Sequence, residues 1–181
     1  MILENACEYK DYLWSVFDEL GFNGSFEVID KAIHLNIITE NETLTKDQVL
    51  EKIQEITLKK KKQEIEAKIN AICKEKIIND FRSEVLGSLH AYDLTLEDQA
   101  NLQALVIAGI DSVFRCAEVS NGVLGFKTYK KHTKAQLLKL SQNALKFKID
   151  LIFFYGREKE RLKAINSLEE LKKFAIKEYL T

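Results

Sequence analysis

Proline is absent from the 181 residues and glycine occurs seven times. With the strongest helix breaker missing, helices must end at caps and glycines, and long uninterrupted ones become accessible. Cysteine is scarce and odd in number: Cys7, Cys73 and Cys116 are widely spaced, with no CxxC and no Cys/His pair at zinc-ligand distance in sequence. That spacing supports neither a disulfide framework nor a structural zinc site, and reduced thiols are the expectation. Net charge is nearly lacking too, since 27 basic and 28 acidic side chains leave −1, so no overall field draws the chain to nucleic acid or membrane. No apolar run approaches the ~20 residues of a bilayer span. Residues 1–10 lack the basic and apolar regions of a secretory leader, so a soluble, intracellular chain is expected. Phosphate loops, dinucleotide fingerprints, HExxH, GxSxG and EF-hand loops are all missing.

What is present reads as folded: 46% apolar and 30% charged residues exclude wholesale disorder. Leu3, Cys7, Leu13, Trp14, Phe17 and Leu20 share a broad face and predict an amphipathic helix ending at Gly21. Asn23-Gly24 reads as a turn. The alternating segments 25–29 and 33–37 predict a hairpin, with Phe26 and Val28 on one buried face and Ile33, Leu35 and Ile37 on its match. Thr39–Leu44 reads as a polar loop. Thr45 and Gln48 form a capping box that opens a glycine-free stretch to Ile78, about 33 residues and about 50 Å if continuous. Its apolar phase (Val49, Ile53, Ile56, then Ile65, Ile69, Ile72) slips across Lys59-Lys60-Lys61-Lys62-Gln63. Two amphipathic pieces joined by a basic hinge or exposed rod are therefore expected.

Beyond it, 81–94 suits extended and turn structure around Gly87, and Thr95 with Asp98 caps a helix ending near Gly109. Residues 114–119 and 123–129 flank Asn121-Gly122, the dipeptide of a type I′ hairpin. Thr133 with Gln136 opens a long helix to about Ile165. Ser167 with Glu170 caps a short terminal one through Leu171, Phe174 and Leu180.

Charge is sorted along the chain. Residues 1–45 hold nine acids and two lysines, whereas 127–163 hold eleven Lys/Arg and three acids. In the basic stretch Tyr129, Phe147, Phe153, Phe154 and Tyr155 interleave, a composition able to bind single-stranded nucleic acid. An amphipathic helix with a wet lysine face explains it more simply, so nucleic acid is the lesser alternative. The candidate binding residues are Lys127, Lys130, Lys131 and Lys134. Cys116 with His132 or His90 is the one nucleophile–base pair to consider, though a core thiol is the default reading. His34 falls on the polar phase of a strand. Asp93, Glu97 and Asp98 could be imagined as a metal cluster, but Asp98 is accounted for by the first turn of a helix. No catalytic residue, cofactor or metal is assigned.

The order of short signatures carries a resemblance. Phe81-x-Ser83-x-x-Leu86-Gly87, Tyr92-Asp93-Leu94 and Asp98-Gln99-x-Asn101-Leu102 come first. Phe114-Arg115-Cys116-Ala117, His132-Thr133-x-x-Gln136-Leu137 and Ser167-Leu168-Glu169-Glu170-Leu171 follow. Over about residues 62–171 this resembles a domain of unknown function in tailed-phage and prophage proteins associated with tail-fibre regions. Some members of that family look like tail-fibre assembly proteins. The resemblance implies a non-enzymatic tail-fibre assembly factor or small tail component. Such a protein would bind a fibre or other tail protein in the host cytoplasm and in some cases remain in the virion.

The expected architecture is α+β and mainly helical. It has an acidic helix–hairpin module (1–44), a helical connector (45–63) and a second α+β domain (64–181), each module with an antiparallel hairpin. Val49, Ile53 and Ile56 would either pack on the first module or join copies of the chain.

Overall fold

The computed structural model describes residues 1–4, 6–21, 23–38 and 45–179, with Ile37 and Ile38 described through their backbone alone. The expected loop 39–44 and the terminal Leu180 lie outside the described residues. The fold is α+β with helix predominating. The chain divides into two compact units, Met1–Ala67 with Arg161–Ala175, and Lys68–Glu160 with Ile176–Thr181. The segment expected as a free connector thus belongs to the first unit, as do residues 161–175, which the sequence reading placed in the second domain.

In the first unit the N-terminus is a strand and not the start of a helix. The Met1 ammonium donates to the Leu35 carbonyl at 2.6 Å, and Leu35 N–H donates back to Met1 at 2.7 Å. These bonds lay β1 (Ile2–Leu3) against the sheet, and a 3-10 helix (Cys7–Tyr12) then leads into α1 (Leu13–Leu20), which ends at Gly21. Asn23-Gly24 is no turn: both lie in β2 (Asn23–Ile29), paired with Ile38 and Ile37 of β3 (Ala32–Ile38). The chain reverses at Asp30-Lys31, where Asp30 takes φ 54°. The strand order is β1-β3-β2. Ile33 and Leu35 are buried as expected, and Phe26 is half-buried against Trp14 and Phe17 at 5.2 and 6.2 Å between ring centroids. Val28 is 40% exposed, contrary to expectation, because it sits next to the turn on the edge strand.

α2 (Lys46–Asn79) is one unbroken helix, opened by the Thr45–Gln48 capping box. The predicted basic hinge does not form. Its lysines are held inside the first unit: Lys59 reaches Glu19 at 3.2 Å, Lys61 stands 5.5 Å over the Tyr12 ring, and Lys62 donates to the Lys163 carbonyl at 2.9 Å. Nor does an apolar seam remain for a second copy at Val49, Ile53 and Ile56. These side chains are buried in the core with Leu3, Leu13, Val16, Phe17, Ile33 and Leu35.

The second unit begins with the C-terminal part of α2, followed by β4 (Arg82–Ser83) and β5 (His90–Ala91). Thr95 and Asp98 make a reciprocal capping box on α3 (Leu96–Ala108), an N-terminal arrangement worth about 1 kcal/mol. β6 (Ser112–Ser120) pairs with β5 on one side. It also pairs with β7 (Val123–Leu124) and β8 (Thr128–His132). Asn121 and Gly122 both adopt positive φ, 49° and 77°, as the type I′ turn requires. The returning strand is interrupted at Gly125, whose N–H bonds the Glu118 carbonyl at 2.9 Å. A Cβ there would lie 3.1 Å from that oxygen. The Thr133–Gln136 box opens α4 (Lys134–Lys163), and Ser167 accepts from Glu170 N–H to cap α5 (Leu168–Lys172), which stops before Phe174. Phe81, Tyr92, Leu102, Phe114, Leu137 and Leu140 form the core of this unit.

Candidate functional site

The four candidate lysines do not converge. Lys127 is ion-paired with Asp93. On β8, side chains alternate between the two faces. Lys130 shares the face of the buried His132 and reaches His90 Nε2 at 3.0 Å and Glu118 at 3.5 Å, while Lys131 points the other way. Lys134 is the first residue of α4, its backbone N–H held by Asp111 at 2.7 Å. The aromatics of the basic stretch part as well. Phe147 packs on the core and Tyr155 is buried, whereas Tyr129 and Phe153 are exposed.

Under β8 lies a polar cluster. His132 Nδ1 donates to the Lys130 carbonyl at 2.8 Å, so the neutral ring offers Nε2 as acceptor to the Tyr92 hydroxyl at 3.1 Å. His90 repeats the pattern, with Nδ1 donating to the Ser88 carbonyl at 2.8 Å and Nε2 facing Lys130. Burial lowers the pKa of His132, with repulsion from His90 adding to it and the Lys130 carbonyl opposing. Burial likewise raises those of Tyr92 and Cys116. The structure thus brings Cys116 and His132 into one neighbourhood, but the hydrogen-bond partner of the thiol is Tyr92. A thiol 1% exposed, with its pKa pushed upward, is a poor source of thiolate. Among the described residues no group of three or more His, Cys, Asp or Glu could hold a metal ion. Asp98 is occupied by its cap and Asp93 by Lys127.

The feature the sequence did not disclose is a groove of about 480 Å³ in the second unit, within the size range of ligand-binding clefts. α2 supplies Cys73, Ile77 and Ile78. The start of α3 and the residues before it supply Leu94, Leu96 and Gln99, and α4 supplies Ile152, Tyr155 and Gly156. Its polar margin is Asn70 with three lysines, Lys74, Lys148 and Lys159, and among the described residues no Asp or Glu lines it. Lys148 donates to Gln99 Oε1 at 2.8 Å, and Gln99 in turn donates to the Leu94 carbonyl at 2.7 Å. The ammonium is therefore positioned by a neutral amide and not by a carboxylate. Among the described residues none of the three lysines forms an ion pair with a carboxylate. A second hollow of about 310 Å³ shares Leu94, Gln99 and Lys148 with the first and continues to Leu102, Ala144 and Leu145.

Two details set this groove apart from incidental surface. Leu96 is 82% exposed and Ile152 is 50% exposed, so large apolar side chains stand at its edge without cover. Gly156 sits well inside α4, where glycine costs roughly 0.5–1 kcal/mol against alanine. A Cβ placed there would meet nothing within 4 Å, so packing within the chain does not demand the glycine. The sequence signal that could have found it is the three- and four-residue spacing of Lys148, Ile152, Tyr155, Gly156 and Lys159 along α4. The other walls come from segments far away in sequence.

No family model matches the chain, no curated protein matches it, and no solved structure matches it. No helix among the described residues is long and apolar enough to cross a membrane.

Proposed function

We propose that this chain is a non-catalytic binding protein, a tail-fibre assembly factor or small tail component of a tailed phage or prophage, acting in the host cytoplasm. Two lines support the reading. The tail assignment draws on the order of short signatures between Phe81 and Leu171. The mode of action draws on one observation above the rest: an apolar groove rimmed by lysines that form no ion pair among the described residues, made mostly of helix surface. Helix-walled apolar grooves capture polypeptide partners by burying a few anchor side chains. By contrast, the most nucleophilic candidate, Cys116, lies buried beneath Tyr92.

Co-expression with a tail-fibre protein of the phage or prophage that carries the gene tests the reading. The expected result is a complex that survives size-exclusion chromatography, together with a higher yield of soluble, assembled fibre than the fibre gene gives alone. Absence of a complex, combined with unchanged fibre assembly after deletion of the gene, contradicts it.

A further inference from the structure

Resting on the binding reading above, we infer that the groove between α2, α4 and the start of α3 receives an amphipathic, acidic helix of a partner protein, its apolar face on Ile77, Leu96 and Ile152 and its carboxylates on Lys74, Lys148 and Lys159. Charge complementarity selects the sign. Three ammonium groups border the groove with no Asp or Glu among the described residues of its lining, and Lys148 is held in place by Gln99 without being neutralised. A partner carboxylate entering there meets one ammonium already positioned, Lys148, with half-buried Lys159 and exposed Lys74 beside it, whereas a basic or neutral helix leaves them uncompensated. Shape selects a polypeptide. The two hollows meet at Leu94, Gln99 and Lys148 and extend along α4 from Leu145 to Lys159, about 21 Å of helix rise. That length matches a partner helix of about four turns better than a compact small molecule. Gly156 makes the wall of α4 low enough for another helix to approach closely, and among the described residues nothing lies within 4 Å of a Cβ placed there.

The test is selection of a displayed library of random 14-residue peptides on the immobilised full-length protein. Winners are then titrated against the parent, Gly156→Leu, and the triple variant Lys74→Glu/Lys148→Glu/Lys159→Glu. Circular dichroism checks that each variant folds, and Leu96→Asp replaces either one if it does not, because that side chain already faces solvent. The expected winners carry apolar residues at three- and four-residue spacing with Asp or Glu beside them. Their affinity should fall at least tenfold against each variant and weaken as salt is raised. Winners without acidic enrichment, winners that bind the variants as well as the parent, or no winners at all overturn the inference. So does a 14-carbon fatty acid that binds the parent and is lost in Gly156→Leu where peptides fail, or self-association of the parent in sedimentation that Gly156→Leu abolishes. Co-purification with the fibre protein, unaffected by these variants, would remove the groove while leaving the binding reading; absence of both removes both.

Discussion

Replacing Gly156 with alanine should make the protein more stable. The residue lies inside α4, seven positions before the last residue of the helix, and its backbone is outside the positive-φ region, so alanine needs no rearrangement of the chain. The added methyl group meets nothing within 4 Å, so no clash subtracts from the gain. What remains is the difference in helix propensity and unfolded-chain entropy, roughly 0.5–1 kcal/mol in favour of alanine. For a chain of this length that corresponds to a rise of about 1–4 °C in melting temperature. Gly109 supplies the control of opposite sign. It closes α3 in the left-handed region at φ 63°, and alanine there should cost about 1 kcal/mol. Urea unfolding followed by far-UV circular dichroism reads both variants beside the parent, with midpoints compared at constant slope. If Gly156→Ala lowers stability, the glycine serves the chain's own packing. The argument that it is kept for an outside partner then fails.

The remaining predictions concern the second unit. Because burial holds the folded His132 below its unfolded value of about 6.5, the unfolded chain takes up that proton first. Stability should be full above about pH 7.5 and decline as pH falls through 6.5. Urea midpoints at pH 7.5 and 5.5 should differ in the parent and differ less in His132→Gln, and an NMR titration placing His132 at or above 6.5 would refute the cause. A chromogenic disulfide reagent at pH 8 should modify Cys7 and Cys73 in the native protein and Cys116 only after unfolding. Prompt native labelling of Cys116 would revive a reactive-thiol reading. Leu140→Ala, at a fully buried core position, should cost about 2–5 kcal/mol, whereas Thr95→Ala, which removes one cap, should cost about 1 kcal/mol. Equal costs in unfolding titrations would contradict that assignment of core and cap.

Features decided within a few residues were legible in the sequence. The boxes at Thr45–Gln48, Thr95–Asp98 and Thr133–Gln136 and the Ser167 cap all form where their side chains alone indicated. Asn121-Gly122 turns as its backbone preferences demand. Features decided by distant partners were not legible. Leu3 fits a helical face, yet pairing with Ile33, thirty residues on, draws it into a strand. Asn23-Gly24 carries a turn signal but is overridden by seven paired positions along β3. The lysine run resembles a solvated hinge because Glu19, Tyr12 and the Lys163 carbonyl, which hold it, lie 40 or more residues away. The groove was hidden for the same reason. Cys73, Leu96 and Ile152 come from three segments, and only folding brings them into one lining.

Cys73, a half-buried residue of the groove lining, gives the most direct measurement. In a Cys7→Ser protein its alkylation by iodoacetamide can be timed at pH 8.5, a pH chosen because burial raises the pKa of the thiol. Adding a saturating acidic amphipathic peptide selected on the parent should slow that reaction at least tenfold, and the Gly156→Leu variant should lose the protection. An alkylation rate unchanged by the bound peptide would place the partner elsewhere and contradict the account.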